Sequence, residues 1–346
     1  MGRRKGKGRA AWRILAWLAV LVVLAALGAG WYGYERFRHT PLDIGPQRQT
    51  LDVPRGSNLH GIVARLRARA LTRAPALYWR VLAERMRVAD RLHAGEYALD
   101  PGLTPGQLLD NMAAGRVLQR HFTIVDGWTF RQLRDALAQV DTLGHAGAAL
   151  DAAEVMRRIG AAGEVPEGRF LPETYAYVKG DSDLDILKRA HAAMVRTLAE
   201  LWPGRAKDLP LATPYEALIL ASIVEKETGR ADERSRIAGV FVRRLEHRML
   251  LQTDPSVIYG MGQAYAGNIR RTDLVADTPY NTYLRPGLPP TPIALPGRAA
   301  IEATLHPAPG DALYFVSRGD GSHVFAASLA EHNRNVACYQ LKRCHE

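Results

Sequence analysis

The sequence is poor in the residues and motifs that mark several common classes of function. It has only two cysteines, Cys338 and Cys344, and neither these nor its histidines show the spacing of a metal site. A phosphate-binding loop, a dinucleotide fingerprint, an HExxH helix and a nucleophile elbow are all missing. We therefore expect neither a metal nor a cofactor. The two cysteines could close a small terminal loop after export, but only where the chain is unwound, since a continuous helix would point them apart.

Acidic residues are absent from the first thirteen positions, which instead hold six cations. These six account for more than half of the formal charge of +11, and the remaining excess is spread without a long basic run. Such a distribution is typical of a signal that orients a membrane segment, and it argues against a nucleic-acid partner. The six cations are Arg3, Arg4, Lys5, Lys7, Arg9 and Arg13.

Charged residues are also absent from Ile14 to Gly30, and aromatic residues flank this apolar stretch on both sides. About 20 such residues suffice for a helix to cross the hydrocarbon layer. The sequence therefore predicts a cytoplasmic basic stub at 1–11 and a transmembrane helix at 12–34, with the rest of the chain outside. A cleaved signal peptide ending near Ala29 is the alternative, but the apolar core exceeds the ~15 residues of a signal.

Residues 35–46 mix charges with proline and glycine, which predicts a short tether. In the following segment, 47–117, short strands alternate with capped helices. We expect Ser57 to cap one helix, and Thr104 with Gln107 to form a capping box at another. This β-α-α-β order resembles the LysM-like fold, which binds glycans that contain GlcNAc. The alternative is an ordinary spacer of the same fold class that binds nothing.

The remainder, 118–346, is expected to form a larger catalytic domain, which makes the predicted fold class α+β. Its most informative helix begins at Thr213, passes through an apolar stretch (ALILASIV) and ends at Glu225 and Glu227. A carboxyl group at the end of a buried helix loses hydration, which raises its pKa and suits it to general acid catalysis. From the residues alone either glutamate fits that role, and both could equally be solvated residues of a fraying helix end.

Ten segments, in one order along the chain, make it similar to the endolytic murein transglycosylases, a class of lytic transglycosylase with an N-terminal membrane anchor. In that family the first glutamate of the EKET segment is catalytic, which implies that Glu225 is catalytic here and Glu227 supports it. Glu173 departs from the family pattern, in which aspartate is usual. The segments are 167–168, 170–175, 221–228, 251–260, 280–283, 287–290, 296–297, 306–307, 314–316 and 332–333, and the single residue Ile293 also fits the family pattern.

The chemistry that this resemblance implies needs one acid and no water. Glu225 would protonate the oxygen of the MurNAc–GlcNAc bond, and its carboxylate would then accept the proton of the MurNAc C6 hydroxyl, which closes a 1,6-anhydro ring. A hydrolytic muramidase is the first alternative, and it would need a second carboxyl group, from Asp254 or Glu167. The second alternative is a non-catalytic glycan-binding scaffold of the cell-wall machinery.

The resemblance also implies two groups of residues around the acid. One group binds substrate through hydroxyl, amide and aromatic groups, although both of its segments also contain common turn residues. The other group supports the acid. The substrate-binding group is Gln252, Thr253, Asp254, Tyr280, Asn281, Thr282 and Tyr283, and the supporting group is Glu227, Ser222, Glu167 and Glu173.

Together these features predict a single-pass protein of the bacterial inner membrane, with its N-terminus in the cytoplasm and its catalytic domain in the periplasm. Its expected function is endolytic cleavage of nascent peptidoglycan strands, which would limit their elongation. Its expected partners are peptidoglycan glycan strands, the inner membrane and, as candidates, peptidoglycan synthases.

Overall fold

The computed structural model describes residues 7–343, and in it the chain forms two compact units. The first unit ends at Arg120 and the second begins at His121. Both units combine helices with short two-stranded sheets, so the architecture is mixed α+β, as predicted. The first unit contains α1 (Lys7–His39), β1 (Gln49–Val53), α2 (Leu59–Ala68), α3 (Ala76–Arg85), β2 (Gly95–Leu99) and α4 (Pro105–Ala113).

The strand β3 (Gln119–Thr123) leads into the second unit, where helices are the main elements. The second unit continues with α5 (Phe130–Ala138), α6 (Ala152–Ile159), β4 (Thr174–Val178), α7 (Asp183–Leu201), α8 (Pro214–Glu227), α9 (Arg234–Glu246), α10 (Asp254–Met261), α11 (Arg271–Leu274), α12 (Arg298–Leu305), β5 (Tyr314–Ser317), β6 (His323–Ala326) and α13 (Leu329–Tyr339). Two short 3₁₀ turns lie at Trp202–Gly204 and Gly262–Ala264.

Helix α1 contains a stretch from Trp12 to His39 that is long enough to cross a membrane, and an 18-residue window within it has a mean hydropathy of 2.4. Its apolar side chains are exposed, as expected of a helix whose partner would be lipid rather than protein. The predicted stub at 1–11 lies mostly outside the described residues, and the description of α1 begins at Lys7.

The segment at 35–46, which the sequence predicts as a tether, is ordered differently in the structure. Helix α1 extends into this segment as far as His39. Phe37 is buried, and its ring centre lies 5.2 Å from that of Trp79. Leu42 and Ile44 are also buried in the same core. Because Tyr34 and Phe37 are three residues apart, they share one face of α1 and enter this core together.

A small sheet and three helices surround the core of the first unit. Strands β1 and β2 pair antiparallel, with the buried Leu51 opposite the buried Tyr97. Helix α2 is capped by Asn58 rather than by Ser57, because the Asn58 side chain accepts a hydrogen bond from the Gly61 amide at 2.9 Å. The capping box predicted for Thr104 and Gln107 is confirmed at the start of α4.

Helix α8 lies in the centre of the second unit, with α7, α9, α10 and α12 packed around it or against its neighbours. The run from Ala217 to Val224 is buried on every side. Thr213 caps the helix as predicted, but Glu216 accepts a hydrogen bond from the Ala212 amide rather than completing a capping box. The helix ends at Glu227 without a left-handed glycine, since Thr228 already has extended backbone angles.

The C-terminal part of the second unit consists of a hairpin and a helix. Strands β5 and β6 pair antiparallel, and α13 packs on both of them. Cys338, in the last turn of α13, is disulfide-bonded. Cys344 lies outside the described residues.

Candidate active site

The side chains of the two glutamates at the end of α8 lie in different surroundings. Glu225 and Glu227 are two residues apart, which separates their directions by about 200° around the helix. Glu227 lines a cleft of about 500 Å³, whereas Glu225 is directed at the start of α12. Helix geometry therefore allows only one of the two to be the acid of this cleft.

Glu227 has the electrostatic setting of a general acid. Burial raises the pKa of Glu227 to about 7, and the nearby Asp254 carboxylate adds to this effect. Two groups oppose the shift: the Thr253 hydroxyl, which donates a hydrogen bond to Glu227 Oε1, and the Arg244 guanidinium. The balance leaves a carboxyl group that can both give and take a proton near neutral pH.

The cleft brings together residues that the sequence suggested for substrate binding. Gln252, Asp254 and Tyr283 line it beside Glu227. The Tyr283 hydroxyl donates to Asp254 Oδ1 at 2.6 Å, which holds the carboxylate and the phenol as one polar pair. This polar wall is complemented by the aromatic ring of Tyr314, so the cleft offers both hydrogen-bonding and stacking surfaces.

Two buried threonines fix the loops that carry these residues. The Thr253 amide donates to Thr282 Oγ1 at 3.1 Å, and the Gln252 amide donates to the Thr282 carbonyl at 3.1 Å. Gln252 itself has a φ of +51°, an angle that side-chain-bearing residues adopt only when their surroundings hold them there. Thr282 thus acts behind the cleft and does not line it.

Arg244 is a residue of the cleft that the sequence did not single out. It is buried, and its guanidinium donates to the carbonyls of Leu250, Leu251 and Leu313 and to Gln252 Oε1 at 2.7 to 3.3 Å. It also lies over the Tyr314 ring, which stacks in turn on His332 at 5.2 Å. In the sequence Arg244 is one of two adjacent arginines near a helix end, and such a pair usually has solvent-exposed side chains. Its burial could have been predicted from the helical spacing, because Arg244 lies on the same face of α9 as the apolar Val240 and Phe241.

Glu225 belongs to a second group of charged residues. Its Oε2 accepts a hydrogen bond from the Gly297 amide at 3.0 Å, at the N-terminus of α12. Burial raises the pKa of Glu225, and the Asp126 carboxylate nearby raises it further. A side chain at Gly297 would collide with Asp126, so both carboxylates crowd one helix terminus. This position suits an acidic helix cap.

The other predicted supporting residues lie outside the described lining of the cleft. Glu167 is buried and accepts hydrogen bonds from the Phe130 amide at 2.9 Å and the Tyr259 hydroxyl at 3.1 Å. Burial raises its pKa to about 7. Ser222 links the Ile219 carbonyl to the Ile293 amide inside the core. Glu173 is exposed.

Tyr280 and Asn281 are held within their own loop. The Asn281 amide is fully buried, donates to the carbonyls of Leu274 and Ala276, and accepts from the Tyr283 amide. The Tyr280 hydroxyl hydrogen-bonds Thr291 at 2.9 Å. The turn chemistry that the sequence left open for this segment therefore describes Asn281 better than contact with a sugar.

Within residues 7–343 no group of three histidine, cysteine, aspartate or glutamate side chains is arranged to hold a metal ion. The candidate site is a cleft in an α+β domain, and carboxyl groups lie at the end of the buried helix α8 beside it. The model of the YceG-like family matches residues 51–338, and the chain belongs to that family.

Relatives with assigned names agree with this membership. The chain is 37% identical to an endolytic murein transglycosylase of Bacillus subtilis over 49% of its own length and 46% of the relative's. It is 29% identical to the Streptococcus pneumoniae strain D39 protein of the same name over 92% of its length and 64% of the relative's. The chain therefore spans between about half and two thirds of these relatives. The resemblance found in the sequence is confirmed at the level of the family.

A solved structure is similar as well. The crystal structure of a YceG-like protein from Listeria monocytogenes matches with a TM-score of 0.52 and 27% sequence identity. The match covers 84% of this chain and the whole of the Listeria chain.

Proposed function

We propose that this chain is an endolytic lytic transglycosylase of peptidoglycan and that Glu227 is its general acid. The observation that carries the proposal is a glutamate with a pKa near 7 on the wall of a polar and aromatic cleft. The names of the relatives supply the substrate class, since murein is peptidoglycan.

The proposed reaction uses one carboxyl group twice. Protonated Glu227 donates its proton to the oxygen of the MurNAc–GlcNAc bond as the bond to C1 breaks. The resulting carboxylate then accepts the proton of the MurNAc C6 hydroxyl while that oxygen bonds to C1. The products are a GlcNAc hydroxyl end and a 1,6-anhydro-MurNAc end, and Glu227 is left protonated for the next cycle.

The surroundings of Glu227 favour it over Glu225 in this role. Thr253 can donate to the Glu227 carboxylate after the first proton transfer, and Arg244 stabilises the same charged state. The Asp254 carboxylate acts in the opposite direction, because its negative charge raises the pKa of Glu227 and favours the protonated form. Glu225 instead has the Gly297 amide as its partner and the start of α12 as its neighbour.

Product analysis tests the reaction and the acid together. The full-length protein in detergent is incubated with purified peptidoglycan, and the released glycans are examined by mass spectrometry. We expect Glu227→Gln to lower the formation of anhydro-MurNAc ends by at least about a hundredfold, since a general acid typically contributes ~10²–10⁴. Glu225→Gln is the matched control, two residues away on the same helix, and should keep most of the activity.

Other outcomes contradict separate parts of the proposal. Loss of activity in Glu225→Gln with activity retained in Glu227→Gln would return the role to Glu225, as the family resemblance implies. Reducing ends instead of anhydro ends would identify a hydrolytic muramidase. Asp254 is the specific reason to test for that reaction, because it lines the same cleft as Glu227 and could activate a water molecule. No cleavage by any of the proteins would favour a glycan-binding scaffold.

The remaining parts of the proposal concern location and partners. Helix α1 would anchor the chain in the bacterial inner membrane with the second unit in the periplasm, where nascent strands emerge. The β-α-α-β segment of the first unit would act as a LysM-like glycan-binding module. Cleavage there would limit strand elongation in the company of peptidoglycan synthases. Co-sedimentation of the full-length protein with insoluble peptidoglycan tests for glycan binding, and a protein that stays in the supernatant would exclude that role.

A further inference from the structure

A pocket in the first unit lies at the level where α1 changes its surroundings. The large apolar and aromatic side chains of α1 from Trp12 to Tyr32 are exposed, and Tyr34 and Phe37 are the first that are buried. An exposed apolar helix with aromatic residues at its end is the usual form of a membrane span at its interface. The lipid boundary expected for α1 therefore falls beside Gly33, which lines the pocket.

The pocket has the size and lining of a site for a small polar group. Its volume is about 320 Å³, within the range of ligand sites in proteins (~300–1,000 Å³). Gly33, Phe37 and the ring of Tyr78 line one side, and the Tyr78 hydroxyl approaches so closely that Gly33 has no room for a side chain. Arg36 and Arg73 provide its cationic groups.

These two arginines, like several others of the first unit, form no ion pair among the described residues, whereas five arginines of the unit do. Among the described residues neither Arg36 nor Arg73 has a carboxylate within ion-pair distance. By contrast, Arg38 pairs with Glu35 at 3.5 Å and Arg80 with Glu84 at 2.9 Å. One carboxylate, that of Asp43, also lines the pocket, which leaves the cations in excess.

The rest of the first unit adds to this positive character. Arg85 lies over the rings of Trp31 and Tyr34, with its guanidinium carbon 5.4 and 5.8 Å from their centres, so a third cation is fixed at the level of the helix exit. Residues 35–120 contain fourteen arginines and eight acidic residues. A surface with this balance beside a membrane attracts anionic headgroups.

We propose that this pocket binds the phosphate group of an anionic phospholipid in the leaflet from which α1 emerges. Arg36 and Arg73 contact the phosphate oxygens, for which the guanidinium fork is well suited, and the acyl chains extend along the exposed apolar face of α1. The inference rests on the part of the proposed function in which α1 spans the membrane.

Native mass spectrometry of the full-length protein in detergent tests the pocket. The protein is titrated with phosphatidylglycerol and, separately, with phosphatidylcholine of the same acyl chains. We expect the wild type to bind phosphatidylglycerol more tightly. The double variant Arg36→Gln, Arg73→Gln should weaken that binding about thirtyfold, since each arginine near a membrane surface contributes on the order of 1 kcal/mol. Its binding of phosphatidylcholine should weaken less, because the choline group offsets the charge of the phosphate.

A matched double variant separates the pocket from general charge. Arg65→Gln, Arg91→Gln removes two exposed arginines of the same unit that do not line the pocket. Equal weakening by both double variants, or no preference of the wild type for phosphatidylglycerol, overturns the proposal. Alkaline extraction of membranes distinguishes this failure from that of the anchor: release of the chain would show that α1 does not span, whereas retention without lipid preference overturns only the pocket.

Discussion

Glu167 is a carboxyl group that folding transfers largely out of water, with the Arg131 charge as only a minor opposing influence on its pKa. It is 5% exposed, and its hydrogen-bond partners are a backbone amide and a tyrosine hydroxyl. Burial is the largest influence and raises its pKa to about 7 from the usual 4.5. The folded protein therefore favours the protonated form of Glu167 below about pH 7, and ionisation of the buried group lowers the free energy of unfolding.

This shift gives the protein a pH-dependent stability. Since the pKa is raised on folding, the full stability is present below about pH 4.5, and it is lost as the pH rises through 7. The loss from Glu167 alone is roughly 3 kcal/mol, at about 1.4 kcal/mol for each pKa unit. Glu167→Gln keeps the shape of the protonated acid and should remove this share of the pH dependence. Urea unfolding in detergent at pH 4.5 and 7.5 measures it.

Glu173 provides the control for this prediction. It lies in the same loop region but is exposed, so Glu173→Gln should leave the pH dependence as in the wild type. An unchanged slope in Glu167→Gln would mean that the Glu167 carboxyl group is hydrated in the folded protein, contrary to its burial.

At the scale of the element, the cap of α2 depends on one residue that the sequence did not select. Asn58 accepts the Gly61 amide, whereas Ser57 belongs to the preceding turn. We expect Asn58→Ala to lower the free energy of unfolding by about 1 kcal/mol and Ser57→Ala to change it much less. Chemical unfolding of the two variants under one condition checks this, and the reverse order of effects would restore Ser57 as the cap.

Local patterns predicted elements well where the signal is itself local. The capping box at Thr104, the cap at Thr213 and the buried run of α8 are all present. The continuation of α1 to His39 could not be predicted from composition, because the residues of 35–39 are polar and charged except for Phe37. The packing of Phe37 on Trp79 decides it, and that contact spans 42 positions of sequence.

The family resemblance implies Glu225 as the acid, whereas the surroundings that distinguish Glu225 from Glu227 come from tertiary structure. The period of the helix separates the two side chains, but it does not say which of them faces a cleft. That depends on partners far along the chain: Thr253, 26 positions after Glu227, and Gly297, 72 positions after Glu225. Of the substrate-binding residues predicted from the sequence, Gln252, Asp254 and Tyr283 line the cleft with Glu227, and the others are held outside its lining by other hydrogen bonds.

At the scale of the whole molecule, the two units have separate hydrophobic cores. Leu66 is fully buried in the first core and Leu218 in the second. Either residue changed to alanine should destabilise its own unit by about 2–5 kcal/mol. We expect amide hydrogen exchange to accelerate in the unit that carries the change and to remain as in the wild type in the other. Equal acceleration throughout the chain in both variants would mean that the two units unfold as one.

The helix α1 is uninterrupted from its apolar stretch into the core of the first unit, so its length sets the distance between the two. A flexible tether would let the distance between the first unit and a membrane spanned by α1 vary freely. A continuous helix would fix that distance at about 1.5 Å per residue. Because Tyr34 and Phe37 are part of the core, the first unit has no slack with which to absorb a change in α1. If α1 spans the membrane as proposed, its length determines how deep Arg36 and Arg38 lie in the headgroup layer and how far above that layer the first unit begins.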